Sequence, residues 1–278
     1  MRKTNKKGFV FELSLVFVTF ILLVTIVVQV NSRLQVFKEV VGKEAFDVLE
    51  ANLKIRAEKF RYHRLGKYAL YNAIYDFAAA GGKNTDECGK EESYVKWTHL
   101  TDEEFKNCMP VNYVSDFNLT FTDNFNELLL TAMPAANNKH EFSIDYDLEE
   151  NKLSVDETTR GSLEMEYKPN ALITDEMSLN AAENYNLGVY GKLIALSKSL
   201  LAKCGTNQTE ELKKCIEPVI AVFNDANKLS VNHEIKQRTA KFDLDQSDIF
   251  PYVNADNIEL KKPRIKFALD IGNISSMK

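Results

Sequence analysis

The chain has 278 residues, with 40 acidic side chains against 35 basic ones and a formal net charge of −5. That acidic balance makes a polyanion such as nucleic acid a poor partner. A composition 45% hydrophobic and 27% charged is that of a folded protein and excludes a disordered chain.

The N-terminal stretch comes first. Arg2, Lys3, Lys6 and Lys7 precede a run of Val, Leu, Ile and Phe over 9–30, whose strongly polar interruptions are Glu12 and Gln29. Ser14, Thr19 and Thr25 can bond back to their own helix. At about 1.5 Å per residue the run covers roughly 33 Å, enough for a bilayer core of about 30 Å. The sequence therefore predicts a basic leader over 1–8 and a transmembrane helix over 9–30. The basic block places the N-terminus in the cytoplasm and the C-terminal domain outside, as a single-pass protein of the cell membrane with lipid as a partner. A cleaved secretory signal competes with this. Its apolar core would be shorter, about 7–15 residues, and Asn31-Ser32-Arg33-Leu34-Gln35 matches a small-residue cleavage site poorly. A plain signal anchor is the third reading.

The junction Lys6-Lys7-Gly8-Phe9 resembles the class III signal of type IV pilins and related archaeal surface proteins. In that family a short basic leader ends in Gly, and the next residue, often Phe, opens a hydrophobic helix. The resemblance covers about residues 1–35. It implies processing between Gly8 and Phe9, a helix that continues as a stalk, and assembly with like subunits through that helix. The family usually carries Glu at the fifth mature position; here that position is Leu13, and Glu12 is the fourth. A carboxylate within an apolar run is a functional hypothesis by default. Two readings of Glu12 stay open: a register-setting partner for a neighbouring subunit's amino terminus, or a residue reaching the interface.

Beyond the helix roughly 240 residues remain, enough for one large domain or two small ones. Four cysteines fall into two local pairs, Cys88 with Cys108 and Cys204 with Cys215. Three pairings are formally open; the local one is expected, and the even count fits an oxidising exterior. C-x2-C spacing is absent and His99 alone among the histidines lies near a cysteine, so no zinc site and no cofactor are expected. Asn118, Asn207 and Asn273 open N-x-S/T sequons and are candidate glycosylation sites.

Along 31–80 the spacing predicts an amphipathic helical stalk. Leu34, Phe37, Val41, Ala45, Val48 and Leu49 form one stripe, extended by Leu53, Ala57 and Phe60. Gly66 is expected to bend or end this helix before a second helical segment over 67–77, and Ala80-Gly81-Gly82 to stop it. Tyr68, Tyr71 and Tyr75 read as a face packed on the domain. Residues 81–110 read as a disulfide-pinned loop holding a buried Trp97, with a short helix opened by a Thr101–Glu104 capping box.

From 111 to 278 the pattern predicts an external α+β domain, with 111–170 and 180–278 as possible modules. Alternation over 116–121, 141–148, 152–155 and 162–167 predicts antiparallel strands. Residues 125–130 read as helix or strand. Helical stripes over about 181–203 and 209–229 predict a hairpin stapled by Cys204 and Cys215, with Pro218 as a kink or a start. Two or three strands close the chain. The fold class is therefore α+β: a long N-terminal transmembrane helix and stalk, then an antiparallel-sheet domain with a helical hairpin.

The histidines, His63, His99, His140 and His233, are dispersed, and no nucleophile, P-loop or metalloprotease motif occurs. Asp243, Asp245 and Asp248 resemble part of a calcium loop without its Gly and distant Glu; solvated strand-end acids are the better reading. Asp145 and Asp147 are expected to point into water. The sequence thus points away from an enzyme and toward a structural or adhesive subunit of an extracellular filament or surface assembly. The alternative is a monomeric, signal-anchored extracellular binding or receptor domain.

Overall fold

The structure, a computed structural model, describes residues 18–34, 43–85, 87–101, 104–133, 140–159, 161–168, 171–205, 209–246, 248–253 and 257–271. Within them five helices and fourteen strands make an α+β protein that forms two compact units. The first unit holds residues up to Glu58 together with Leu163–Asp175; the second holds Lys59–Ser162 and Glu176–Lys278.

The first unit contains helix α1 over 18–34 and the early part of α2 (Lys43–Ala79). It also contains most of a two-stranded sheet, β7 (Gly161–Lys168) with β8 (Ala171–Met177). Thr25 Oγ donates to the Ile21 carbonyl at 2.7 Å, returning its polarity to its own helix. Among the described residues no helix is long and apolar enough to cross a membrane. At about 1.5 Å per residue α1 covers roughly 26 Å, and Gln29, Asn31, Ser32 and Arg33 make its end polar. This overturns the expected transmembrane helix over 9–30, and with it the single-pass cell-membrane placement. Residues 9–17, with Phe9 and Glu12, lie outside the described residues, as does Gly8.

In the second unit the later part of α2 is the core itself. Ala69, Leu70, Ala73, Ile74, Phe77 and Ala78 repeat at three- and four-residue spacing and are fully buried. The tyrosine face packs as read: Tyr71 lies 5.6 Å from the Phe250 ring and Tyr75 4.9 Å from Tyr252. Gly66 does not end the helix. A Cβ there would come within 2.2 Å of Leu179 Cδ1, so its missing side chain lets Leu179 close onto the helix. The stop comes at Gly81 and Gly82, where the Gly82 N–H returns to the Phe77 carbonyl at 2.8 Å. Both have positive φ, and a Cβ on Gly82 would meet the Tyr190 ring at 2.5 Å.

Helix α3 (Tyr113–Ala132) replaces the strand expected over 116–121. Phe117, Phe121, Phe125 and Leu129 recur every fourth residue and are all buried, whereas Leu119, the middle apolar residue of the apparent alternation, is exposed. Phe121 meets Phe142 of β5 (Phe142–Asp147) edge to face at 4.9 Å. β5 pairs with β6 (Lys152–Glu157), and β6 with β9 (Asn180–Asn184), all antiparallel. The helix expected over about 181–203 is shorter at its start: β9 takes up 180–184, α4 (Val189–Cys204) follows it, and then comes α5 (Thr209–Asn227), with Pro218 inside.

The larger sheet has the order β1-β2-β14-β11-β10. Its strands are β1 (Lys90–Glu91), β2 (Tyr94–Lys96), β10 (Val231–Lys236), β11 (Thr239–Asp245) and β14 (Arg264–Asp270). β14 pairs with β2 in parallel; the other neighbours are antiparallel. Trp97 is buried as expected, stacked on Phe267 at 3.9 Å, with Nε1 donating to the Gly81 carbonyl. Thr101 and Glu104 do bond to each other, but they join strands β3 (Thr98–Leu100) and β4 (Phe105–Asn107) instead of opening a helix. β12 (Phe250–Val253) and β13 (Ile258–Lys261) form a separate two-stranded sheet.

Candidate functional site

Both disulfides form as the local pairing predicts. Cys88–Cys108 spans 20 residues and Cys204–Cys215 spans 11. The first pins the loop that carries β1 to β4; the second joins the end of α4 to α5. Each is expected to stabilise the fold by about 3 kcal/mol through loss of unfolded-chain freedom.

The pinned loop is also tied down through Asp270, at the end of β14. Thr239 Oγ donates to its Oδ1 at 2.8 Å, and Lys96 Nζ and the Leu100 N–H reach Oδ2 at 3.2 and 3.3 Å. The Asp270 N–H donates to Thr98 Oγ at 2.8 Å, and that hydroxyl donates to the Asp270 carbonyl. His99 Nδ1 lies 3.5 Å from the same carboxylate. A single acid therefore organises the loop edge.

A buried titratable cluster lies elsewhere, and no sequence motif marks it. Glu157 Oε1 accepts from the Tyr62 hydroxyl at 2.9 Å and lies 2.6 Å from His140 Nδ1. Tyr62 and His140 are themselves 2.9 Å apart, and the Leu179 N–H donates to Glu157 Oε2 at 2.9 Å. Period two puts Leu153, Val155 and Glu157 on one face of β6, which buries the acid beside two apolar neighbours. That alternation is the one signal that could have found it. Tyr62 arrives on the inward stripe of α2, seven residues after Ile55 and seven before Ala69. Burial, then the Glu157 charge, holds its phenol well above the ordinary tyrosine value.

The chemistry of this trio resembles an acid–base pair, but its access does not. Tyr62 is 1% exposed, His140 3%, and the Glu157 side chain 0%. A general acid or base must come within hydrogen-bond reach of the reacting group, and here the Tyr62 hydroxyl, His140 Nδ1 and the Glu157 carboxylate are engaged with one another behind Phe125 and Phe142. It is a closed core network in which both Glu157 oxygens are bonded, while His140 Nε2 is buried without a partner among the described residues.

The remaining predicted residues scatter. Asn118 lies on α3 with Nδ2 donating to the Phe142 carbonyl at 3.0 Å. Asn207 and Asn273 lie outside the described residues. Asp243 and Asp245 pair with Arg264 at 2.9 and 2.6 Å, which gives them a cation within the fold. Asp145 and Asp147 are exposed. His63 is exposed and His233 half-buried on β10. Among the described residues no group of three His, Cys, Asp or Glu side chains is placed to hold a metal ion.

Two of the surface depressions differ sharply in chemistry. An apolar groove of about 510 Å³ lies between α4 and α5, lined by Leu196, Pro218, Val219, Val222 and Phe223 with Lys192 and Lys203 at its edge. A smaller cavity of about 170 Å³ gathers Tyr75, Ser93, Lys262, Arg264 and Lys266.

Fold and site together define a class: a disulfide-stapled α+β protein with closed polar clusters and shallow, open surface sites. No family model matches the chain, no curated protein matches it, and no solved structure matches it.

Proposed function

We propose that the chain is a non-enzymatic structural or adhesive subunit of an extracellular filament or cell-surface assembly. It would be of the pilin-like kind that Lys6-Lys7-Gly8-Phe9 resembles. The observation that carries this reading is the pair of local disulfides, which leaves no free cysteine. Such pairs persist in oxidising compartments and are rare where thiols are kept reduced. The 37-residue α2, which precedes the sheets and supplies the core of the second unit, gives further support. A long helix ahead of the domain is what the resemblance implies. Processing between Gly8 and Phe9, a register role for Glu12, and like subunits as partners belong to the same proposal.

A monomeric extracellular binding domain is the second reading, and the open apolar groove between α4 and α5 favours it. The two separate on the native oligomeric state. Protein recovered from its own host without reductant is expected as particles of many like subunits, by light scattering and negative-stain microscopy. Glu12→Leu is expected to disperse those particles while both disulfides remain. A uniform monomer from the unsubstituted chain would contradict the assembly reading.

A further inference from the structure

β14 begins with Arg264-Ile265-Lys266-Phe267, directly after Lys261-Lys262-Pro263. Alternation places Ile265 and Phe267 in the core, where both are fully buried, and sends Arg264 and Lys266 to the opposite face. There they join Lys262, the Tyr75 ring and phenol, and Ser93 from the pinned loop around the 170 Å³ cavity. Three cations thus converge in a protein whose formal net charge is −5, and among the described residues no carboxylate lines the cavity.

The three cations differ in their commitments. Arg264 is oriented by Asp243 and Asp245, which also compensate its charge. Among the described residues neither Lys262 nor Lys266 is paired with a carboxylate. Lys266 lies 5.6 Å above the Tyr94 ring and shares that ring with Lys241, itself at 5.6 Å. Among the described residues no acid therefore compensates these two ammonium groups, which stand beside a fixed guanidinium and two hydroxyl-bearing residues. Ammonium and guanidinium groups bind oxyanions through short, charge-assisted hydrogen bonds, and hydroxyls can donate as well as accept.

We propose that this cavity is a binding site for a single oxyanion borne by a small ligand: a phosphate or sulfate ester, or a carboxylate, on one sugar-sized ring. The size sets that limit, since drug-sized ligands occupy roughly 300–1,000 Å³ and this cavity holds about 170 Å³. Lys262 and Lys266 supply the charge, Arg264 a guanidinium held in place by Asp243 and Asp245, and Tyr75 an aromatic wall for the ring. The inference is independent of the assembly reading, because a monomer would present the same cavity.

The test is calorimetric titration of the full chain with glucose 6-phosphate, glucose 6-sulfate, glucuronate and uncharged glucose. The expected result is saturable one-site binding of at least one charged probe and none of glucose. Preference for the phosphate, the sulfate or glucuronate identifies the ligand as a phosphorylated, sulfated or uronic saccharide, and each supports the site. Lys262→Ala with Lys266→Ala is expected to weaken binding at least tenfold. Exposed Lys262→Glu, which changes charge without touching the core, is expected to abolish it. Lys213→Ala, at a surface ion pair on α5, is expected to leave it unchanged. Absence of saturable binding for every charged probe, or equal binding by Lys262→Glu, would overturn the proposal.

Discussion

The Tyr62–His140–Glu157 cluster and the Lys262–Lys266 cavity are both concentrations of charge-bearing side chains on the same unit, and they are built in opposite ways. In the cluster each carboxylate oxygen has a donor, and aromatic rings close the space around it. At the cavity two lysines meet no acid among the described residues, and Lys262 is exposed. The difference teaches that polar groups which satisfy one another hold a fold, while those left unsatisfied at a surface are available to a ligand. Catalytic-looking chemistry is therefore a weaker guide to function than access.

The comparison can be broken most forcefully at Glu157. Glu157→Ala leaves the Tyr62 hydroxyl, His140 and the Leu179 N–H without their acceptor, and is expected to cost about 3–5 kcal/mol. Glu157→Gln keeps an acceptor oxygen and is expected to cost less. Urea denaturation midpoints at constant m-value measure both.

Cutting the Cys88–Cys108 bridge with paired serines is expected to lower stability by about 3 kcal/mol. Because Ser93 sits within that loop, the same change is expected to weaken oxyanion binding, as titration would show. Gly66→Ala would push a methyl group against Leu179, whose N–H serves Glu157. A loss of about 1–3 kcal/mol is expected from overpacking, with a lowered thermal midpoint. Lys262→Ala is expected to change stability by less than about 0.5 kcal/mol, as surface substitutions do, while still reducing oxyanion affinity.

A small, pH-dependent effect is expected at Asp76. Burial, partly offset by Asn124 and Tyr252, raises its carboxyl above the ordinary value. The folded state then holds this proton more tightly than the unfolded chain does. Its contribution to stability is full below the unfolded carboxylate value and is lost as pH rises through the raised native value. Asp76→Asn is expected to flatten that fall and to shift stability at neutral pH by under about 1 kcal/mol. Denaturant titrations across the acid range read the slope directly.

Much of the fold was legible because its periodicities are local. The stripes of α4 and α5 and the alternation of β5, β6, β10, β11 and β14 match residues that are buried together. Both disulfides followed from short spacings. Residues 116–121 misled because Phe117 and Phe121 fit period two and period four alike, and only Phe125 and Leu129 decide between them. Gly66 read as a breaker because its use, admitting Leu179, depends on a residue far along the chain.

The parallel pairing of β14 with β2, and the meeting of Tyr62, His140 and Glu157, are equally non-local, 78 and 95 residues separating Tyr62 from its partners. The apolar run over 9–30 predicted a membrane span; among the described residues no helix is long and apolar enough for one. The basic cavity lay closest to view, since three of its five polar residues stand within 262–266.

The central claim is the pilin-like processing that would release an assembly subunit. Its most direct test is the mass of the N-terminal peptide of the protein recovered from its own host. A peptide beginning at Phe9 is the predicted result. A peptide retaining Lys6, Lys7 and Gly8 would contradict it.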